Sequence, residues 1–388
     1  MEMVNSLERK KTDISLLRYN AHKEAINYAL VLFIVCVSLS KLVIDITGEN
    51  NIIILFLHFI GGAILFFNNY KSMRPGLMFL IVLDFVCMLI ATVIHTSLGS
   101  LLRSVNTVLF LLTFGQVVLK KSHLRAVYLL ISCFLFFIYV TSTRDGVFYI
   151  SIFDQEINPN TMGFYIFIIT SFTVAALDSY RKRSFEIVSI VLFVIGTALI
   201  WLTESRTSML ALALSAFGYL IRNMKMISND KKYRRLLIFG WAFAFFIMFF
   251  YVLLYNMIGE QDLIILGKNL FTGRERVWKS GFEMIASSPI FGVGFDPLYA
   301  GKWESGHNSL MGIWKVMGLV PMLVFIYLFS LPCDRYKGKY TVIKSLRITV
   351  LALIFIAAFE ETFTEQSVYI LCLLPLINKV TQDCGVRR

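Results

Sequence analysis

The feature that most constrains this chain is the recurrence of long apolar runs between basic or turn-rich breaks. About twelve can be placed, at 26–46, 52–68, 77–94, 101–119, 124–141, 161–178, 185–202, 206–222, 236–257, 309–331, 346–362 and 366–379. A bilayer core needs about 20 mostly apolar residues per helix, so the pattern predicts an all-α integral membrane protein with about twelve transmembrane helices. Composition closes the alternatives: 57% of residues are hydrophobic, 16% are charged and the mean hydropathy is +0.71. Soluble enzymes and disordered scaffolds do not look like this. The first run is too long for a signal-peptide core and has no small-residue cleavage pattern behind it, so it is expected to stay as the first span. Residues 1–388 then form a single polytopic domain.

The net charge of +12 would suggest nucleic acid in a soluble chain. Here its distribution gives orientation instead, because Lys and Arg collect in alternate loops. With the N-terminus inside, the cytoplasmic pieces centre on residues 9–23, 71–74, 120–125, 181–183, 222–235, 335–347 and 379–388, and hold 27 of the 37 Lys and Arg residues. Both termini are therefore expected on the cytoplasmic side of the cell membrane, with no nucleic-acid partner. Cys36, Cys87, Cys133, Cys333, Cys372 and Cys384 show no C-x-x-C spacing, so neither a zinc site nor a disulfide framework is indicated.

Ten cations fall outside that pattern, and five of them, Lys268, Arg274, Arg276, Lys279 and Lys302, lie in the 258–308 segment. This is the longest loop and is expected on the extracytoplasmic face, where cations kept against the topological bias have a use. Within it, TGRERVWKSGFEMI reads as a short amphipathic helix. Val277, Trp278, Gly281, Phe282 and Ile285 share one face, while Arg276, Lys279 and Glu283 share the other. Arg274 falls on the apolar side, where its guanidinium needs an anionic partner. Arg276 reads equally as part of a solvated face.

Pro289 ends this helix. Gly292 and Gly294 then permit a tight backbone path close to a ligand or another helix. They are no nucleotide fingerprint, since no βαβ pattern surrounds them. GHNSL opens the tenth span. A lone boundary histidine is ordinarily a hydrogen-bonded structural residue, but the positive end of an inward-running helix at His307 and Asn308 favours a neutral, proton-accepting ring. Lys315 shares the helical face of Asn308 and should line a polar interior. TESRTSML similarly puts Arg206 in the first turn of the eighth span, a phosphate-sized anion site. The plainer reading of Arg206 is a snorkelling arginine paired with Glu204. Asp84, Glu360, Glu361 and Glu365 are acidic exceptions, read as structural groups or contacts to substrate hydroxyls.

TESRTSML, GRERVW, PIFGVG and GHNSL, followed by Gly318, Leu319 and Pro321, resemble in order the pattern of the O-antigen ligase and polysaccharide polymerase (Wzy-type) superfamily. The resemblance covers mainly residues 200–322. It implies a GT-C-like membrane glycosyltransferase that uses polyprenyl-diphosphate-linked glycan as donor and acceptor, without nucleotide sugars, cofactor or metal. On this resemblance Arg206 and Arg274 hold the donor diphosphate, with Arg276 as the alternative to Arg274, and His307 is the base for the acceptor hydroxyl. Asn308, Lys315, Glu204 and Glu304 complete the set as substrate contacts. The implied product is a surface polysaccharide: capsular, O-antigen or exopolysaccharide. A flippase and a chain-length regulator are the implied protein partners. A ligase moving finished glycan to another acceptor uses the same residues. A transporter or lipid flippase is the reading from a different class, motivated by the span count and by Asp84 and Lys315.

Overall fold

The computed structural model describes residues 21–42, 52–70, 75–95, 98–144, 148–150, 155–180, 182–258, 264–265, 268–269, 274–294, 307–331, 341–360, 362–363 and 369–381. The chain is predominantly α-helical. Among the described residues, six helices are long and apolar enough to cross a membrane: α1 (Ala21–Leu42), α2 (Ile52–Asn69), α5 (Lys121–Thr141), α6 (Pro159–Asp178), α7 (Arg183–Trp201) and α10 (Asp230–Ile258). Helices α3 (Pro75–His95), α4 (Leu98–Phe114), α8 (Arg206–Leu220) and α14 (Lys344–Ala357) occupy four further apolar runs.

Two runs depart from the expected continuous spans. The run at 309–331 is broken into α12 (Ser309–Met317) and α13 (Leu319–Phe329) by Gly318, whose φ of +96° a helix cannot contain. Among its described residues, the run at 366–379 holds the short α15 (Tyr369–Leu373) and a 3-10 turn at Leu374–Leu376, where Pro375 stops the ladder of N–H donors.

Burial separates the helices by role. In α6, thirteen of twenty residues are buried, and the helix packs on α5, α7, α8 and α14. A helix apolar all round and buried all round belongs at the centre of a bundle. In α10 the buried stripe is narrow: Tyr233, Leu237, Trp241, Ala244 and Met248, at helical spacing. Its other face exposes Phe239, Phe243, Phe246, Phe250, Leu253 and Met257, a surface suited to hydrocarbon.

Local contacts set the relative directions of the helices. Tyr233 Oη donates to the Arg347 carbonyl, Gly240 packs on Ile354, and Ala244 lies level with Ala358, so α10 and α14 run parallel at one fixed offset. Helix α8 runs antiparallel to them, with Gly218 against Ile348 and the 227 and 228 carbonyls accepting from Arg347. Counting twelve residues back from Gly218 reaches Arg206, and twelve forward from Ile348 reaches Glu360. At 1.5 Å per residue both lie about 18 Å further along the bundle, at the same end.

The opposite end is basic. Here α9 (Lys225–Ser228) leads into α10, and a small sheet joins β1 (Leu119–Lys120), β8 (Lys379–Thr381) and β7 (Thr341–Val342). Val380 pairs with Leu119 in parallel and with Thr341 antiparallel. Between α5 and α6 lies a second sheet, β2 (Ser142–Arg144), β3 (Phe148–Ile150) and β4 (Gln155–Ile157). The hairpin β5 (Ile264–Ile265) and β6 (Lys268–Asn269) follows α10.

Candidate active site at the His307 end

From Arg274 onward the expected short helix is present as α11 (Arg274–Ser287). Val277, Trp278, Gly281 and Ile285 are buried, Phe282 is half-buried, and Arg276, Lys279 and Glu283 are exposed. Trp278 meets the Tyr251 ring on α10 and Phe282 meets Phe249, so α11 lies across the end of that helix.

The next segment locks α11 to the break in the tenth run. Val293 N–H donates to the Lys315 carbonyl at 2.7 Å and Gly294 N–H to the Val316 carbonyl at 3.0 Å. These are carbonyls that the ended helix α12 leaves without its own donors. Leu319 N–H and Trp314 Nε1 both donate to the Pro289 carbonyl. A methyl group on Gly292 (φ +71°) would collide with the Val316 carbonyl, and one on Gly318 with the Ile290 carbonyl. The two glycines therefore permit a close approach of backbone to helix.

Asn308 is fully buried and uses four hydrogen bonds. Its Oδ1 accepts from the Leu310 and Met311 N–H groups, capping α12, and its Nδ2 donates to the Ala244 and Ala358 carbonyls at 2.9 Å. One side chain thus fixes α10, α12 and α14 against each other. Both amide hydrogens of Asn308 are thus used within the fold. Ser309 does similar work beside it. Its Oγ donates to the Glu360 carbonyl at 2.9 Å and accepts from Thr362 N–H at 2.8 Å.

Glu360 is the residue around which the site closes. Arg274 Nη2 donates to Glu360 Oε1 at 2.8 Å, and His307 Nδ1 lies 3.4 Å from Glu360 Oε2. The anionic partner that Arg274 requires is thus supplied from the end of α14, 86 residues downstream. One carboxylate ties together the first residue of α11, the residue preceding the α12 cap and the turn after α14. His307 is one-third exposed at its side chain and has φ +44°, a left-handed backbone that costs a non-glycine residue about 1 kcal/mol.

The other described non-glycine residue with positive φ is Glu204, at +57°, at the turn entering α8. Arg206 follows as the first residue of α8 and is exposed, with no carboxylate partner among the described residues. It heads the exposed apolar stripe Leu210, Leu214 and Phe217, while Thr207, Ser208 and Ala211 face the bundle. Glu204 is exposed and Lys315 is buried. Arg276 lies on the exposed face of α11. Glu304 lies outside the described residues. The structure thus brings Arg274 and His307 together through Glu360, and places Arg206 at the same end on a neighbouring helix.

Sequence reasoning missed Ser309 and underrated Glu360. The available signal was an acidic residue closing an apolar run, at the depth where Arg274 demanded an anion.

A family model described as O-antigen ligase matches residues 191–326, from within α7 to within α13. No curated protein and no solved structure matches the chain. The matched segment takes in Arg206, Arg274, His307 and the α12–α13 break, whereas Glu360 lies beyond it. Ordered motifs, the helix ends they build and the match over the same residues agree: residues 191–326 are similar to the O-antigen ligase family.

Proposed function

We propose that this protein is a membrane glycosyltransferase that polymerises polyprenyl-diphosphate-linked oligosaccharide repeats into a surface polysaccharide on the extracytoplasmic face. The observation that carries this reading is the Arg274–Glu360–His307 constellation, built mostly by the segment that matches the O-antigen ligase family.

The acceptor's sugar hydroxyl attacks the anomeric carbon of the donor. The new glycosidic C–O bond forms as the bond from that carbon to the diphosphate oxygen breaks, and the polyprenyl diphosphate leaves with its electron pair. Arg274 and Arg206 stabilise the charge gathering on the leaving oxygens, and a guanidinium suits this by offering planar paired donors. His307 takes the hydroxyl proton. With its Nδ1–H directed at Glu360, the ring presents Nε2 as the accepting atom. The exposed apolar stripe below Arg206 suits a donor whose diphosphate sits at the bilayer boundary and whose chain lies in hydrocarbon.

In a strain lacking the protein, loss of chain length identifies a polymerase, and single unpolymerised repeats accumulate. The family description is equally consistent with a second reading, a ligase that transfers finished glycan to another acceptor by the same chemistry. Full-length but unattached glycan in the deletion strain identifies that activity and overturns the polymerase assignment.

A further inference from the structure

Glu360 divides its two oxygens between the two residues that the reaction needs. Oε1 accepts from Arg274 Nη2 at 2.8 Å, and Oε2 lies 3.4 Å from His307 Nδ1, longer than a good N–H···O bond. Its backbone is pinned: the carbonyl accepts from Ser309 Oγ, and the same hydroxyl accepts from the Thr362 and Phe363 N–H groups. The side chain therefore turns about a fixed point between two partners. The contact is also competitive. A guanidinium grips a phosphate through paired nitrogens, one of which, Nη2, Glu360 now holds, and a diphosphate carries more charge and more acceptor oxygens than one carboxylate.

We propose that Glu360 is a positioning residue set by the donor. Before the donor arrives it holds Nη2 of Arg274, one of the nitrogens a phosphate would take. Displaced by the arriving diphosphate, it turns to His307 Nδ1 and fixes the tautomer that leaves Nε2 to accept the acceptor's proton. The base is thereby completed only when a donor is bound, which protects the site from idle chemistry. This inference rests on the reading of Arg274 as a donor ligand.

The test separates binding from turnover in the full-length protein, held in lipid nanodiscs for binding and expressed in cells for polymer length. The binding probe is geranylgeranyl diphosphate. Glu360→Gln removes the competing charge, so the probe should bind about threefold tighter or more, while polymer formation falls about tenfold or more. Glu360→Asp keeps a carboxylate on the same pivot and should recover part of the polymer. Probe binding to Glu360→Gln that is equal to or weaker than wild type overturns the competition. Tighter binding with full polymer overturns the coupling to His307. If Arg274→Ala binds the probe as wild type does, the donor-site reading itself fails, whatever the Glu360 variants show.

Discussion

The two ends of the bundle use charge differently. At the basic end, Arg347 is almost completely buried, yet it donates to Asp230, to the Ile227 carbonyl at 2.8 Å, and lies over the Tyr233 ring. Lys379 shares Asp230, and Arg222 is held by Glu186 and Asp178 and covers the Tyr219 ring. These contacts close the loops between α8, α10, α14 and the small sheet. At the His307 end, by contrast, a single carboxylate is divided between Arg274 and His307, and Arg206 stands exposed. At the basic end the cations are held within the fold by carboxylates and backbone carbonyls, a structural use. At the His307 end Arg206 is exposed and the His307 side chain is one-third exposed, so both can be reached from outside. The comparison predicts that substitutions at the two ends fail in different ways.

The largest effect is expected at His307. His307→Ala should cut polymer formation by about 100-fold to 10,000-fold, the usual worth of a positioned general base, with little change in thermal stability. Comparing gel ladders of polymer with melting curves checks both halves. Next comes Arg347→Ala at the opposite end. Losing the contacts to Asp230, which keeps Lys379, and to the 227 carbonyl should cost about 1–3 kcal/mol of stability, while activity per folded molecule survives. An inactive but fully stable Arg347→Ala would erase the contrast between the ends. Gly318→Ala should lower the melting temperature and activity together, because its methyl group would push Ile290 and the α12–α13 break apart.

Smaller effects sharpen the account. Arg274→Lys and Arg206→Lys preserve charge but lose the planar paired donors, so donor use should drop about tenfold at unchanged stability, measured as rate against donor concentration. The smallest expected effect is none. EDTA should leave polymer formation unaltered, because the proposed chemistry is carried by arginine and histidine side chains. Inhibition reversed by a divalent ion would replace that mechanism.

Much of this was legible from local pattern. The face of α11, the need of Arg274 for an anion and the close approach at Gly292 all follow from spacing within a few turns. The break at Gly318 was not, since an apolar run hides a left-handed glycine whose role depends on Pro289, Ile290 and Val293 arriving from another segment. The clamp made by Asn308 was hidden for a similar reason. A polar residue at a helix start looks available until the carbonyls of Ala244 and Ala358 are brought to it from 64 and 50 residues away. Glu360 needed the parallel register of α10 and α14 to be known before it could be paired with Arg274.

The central claim is that the His307 end, and not the basic end, carries glycosyl transfer from a polyprenyl-diphosphate donor. Its most direct test is reconstitution of the purified protein with a polyprenyl-diphosphate-linked repeat from the source strain, read as products resolved by length. The account predicts a ladder with wild type, none with His307→Ala or Arg274→Ala, and a ladder from whatever Arg347→Ala folds. Equal ladders from all four proteins, or translocation of the lipid-linked repeat without any new glycosidic bond, would contradict it.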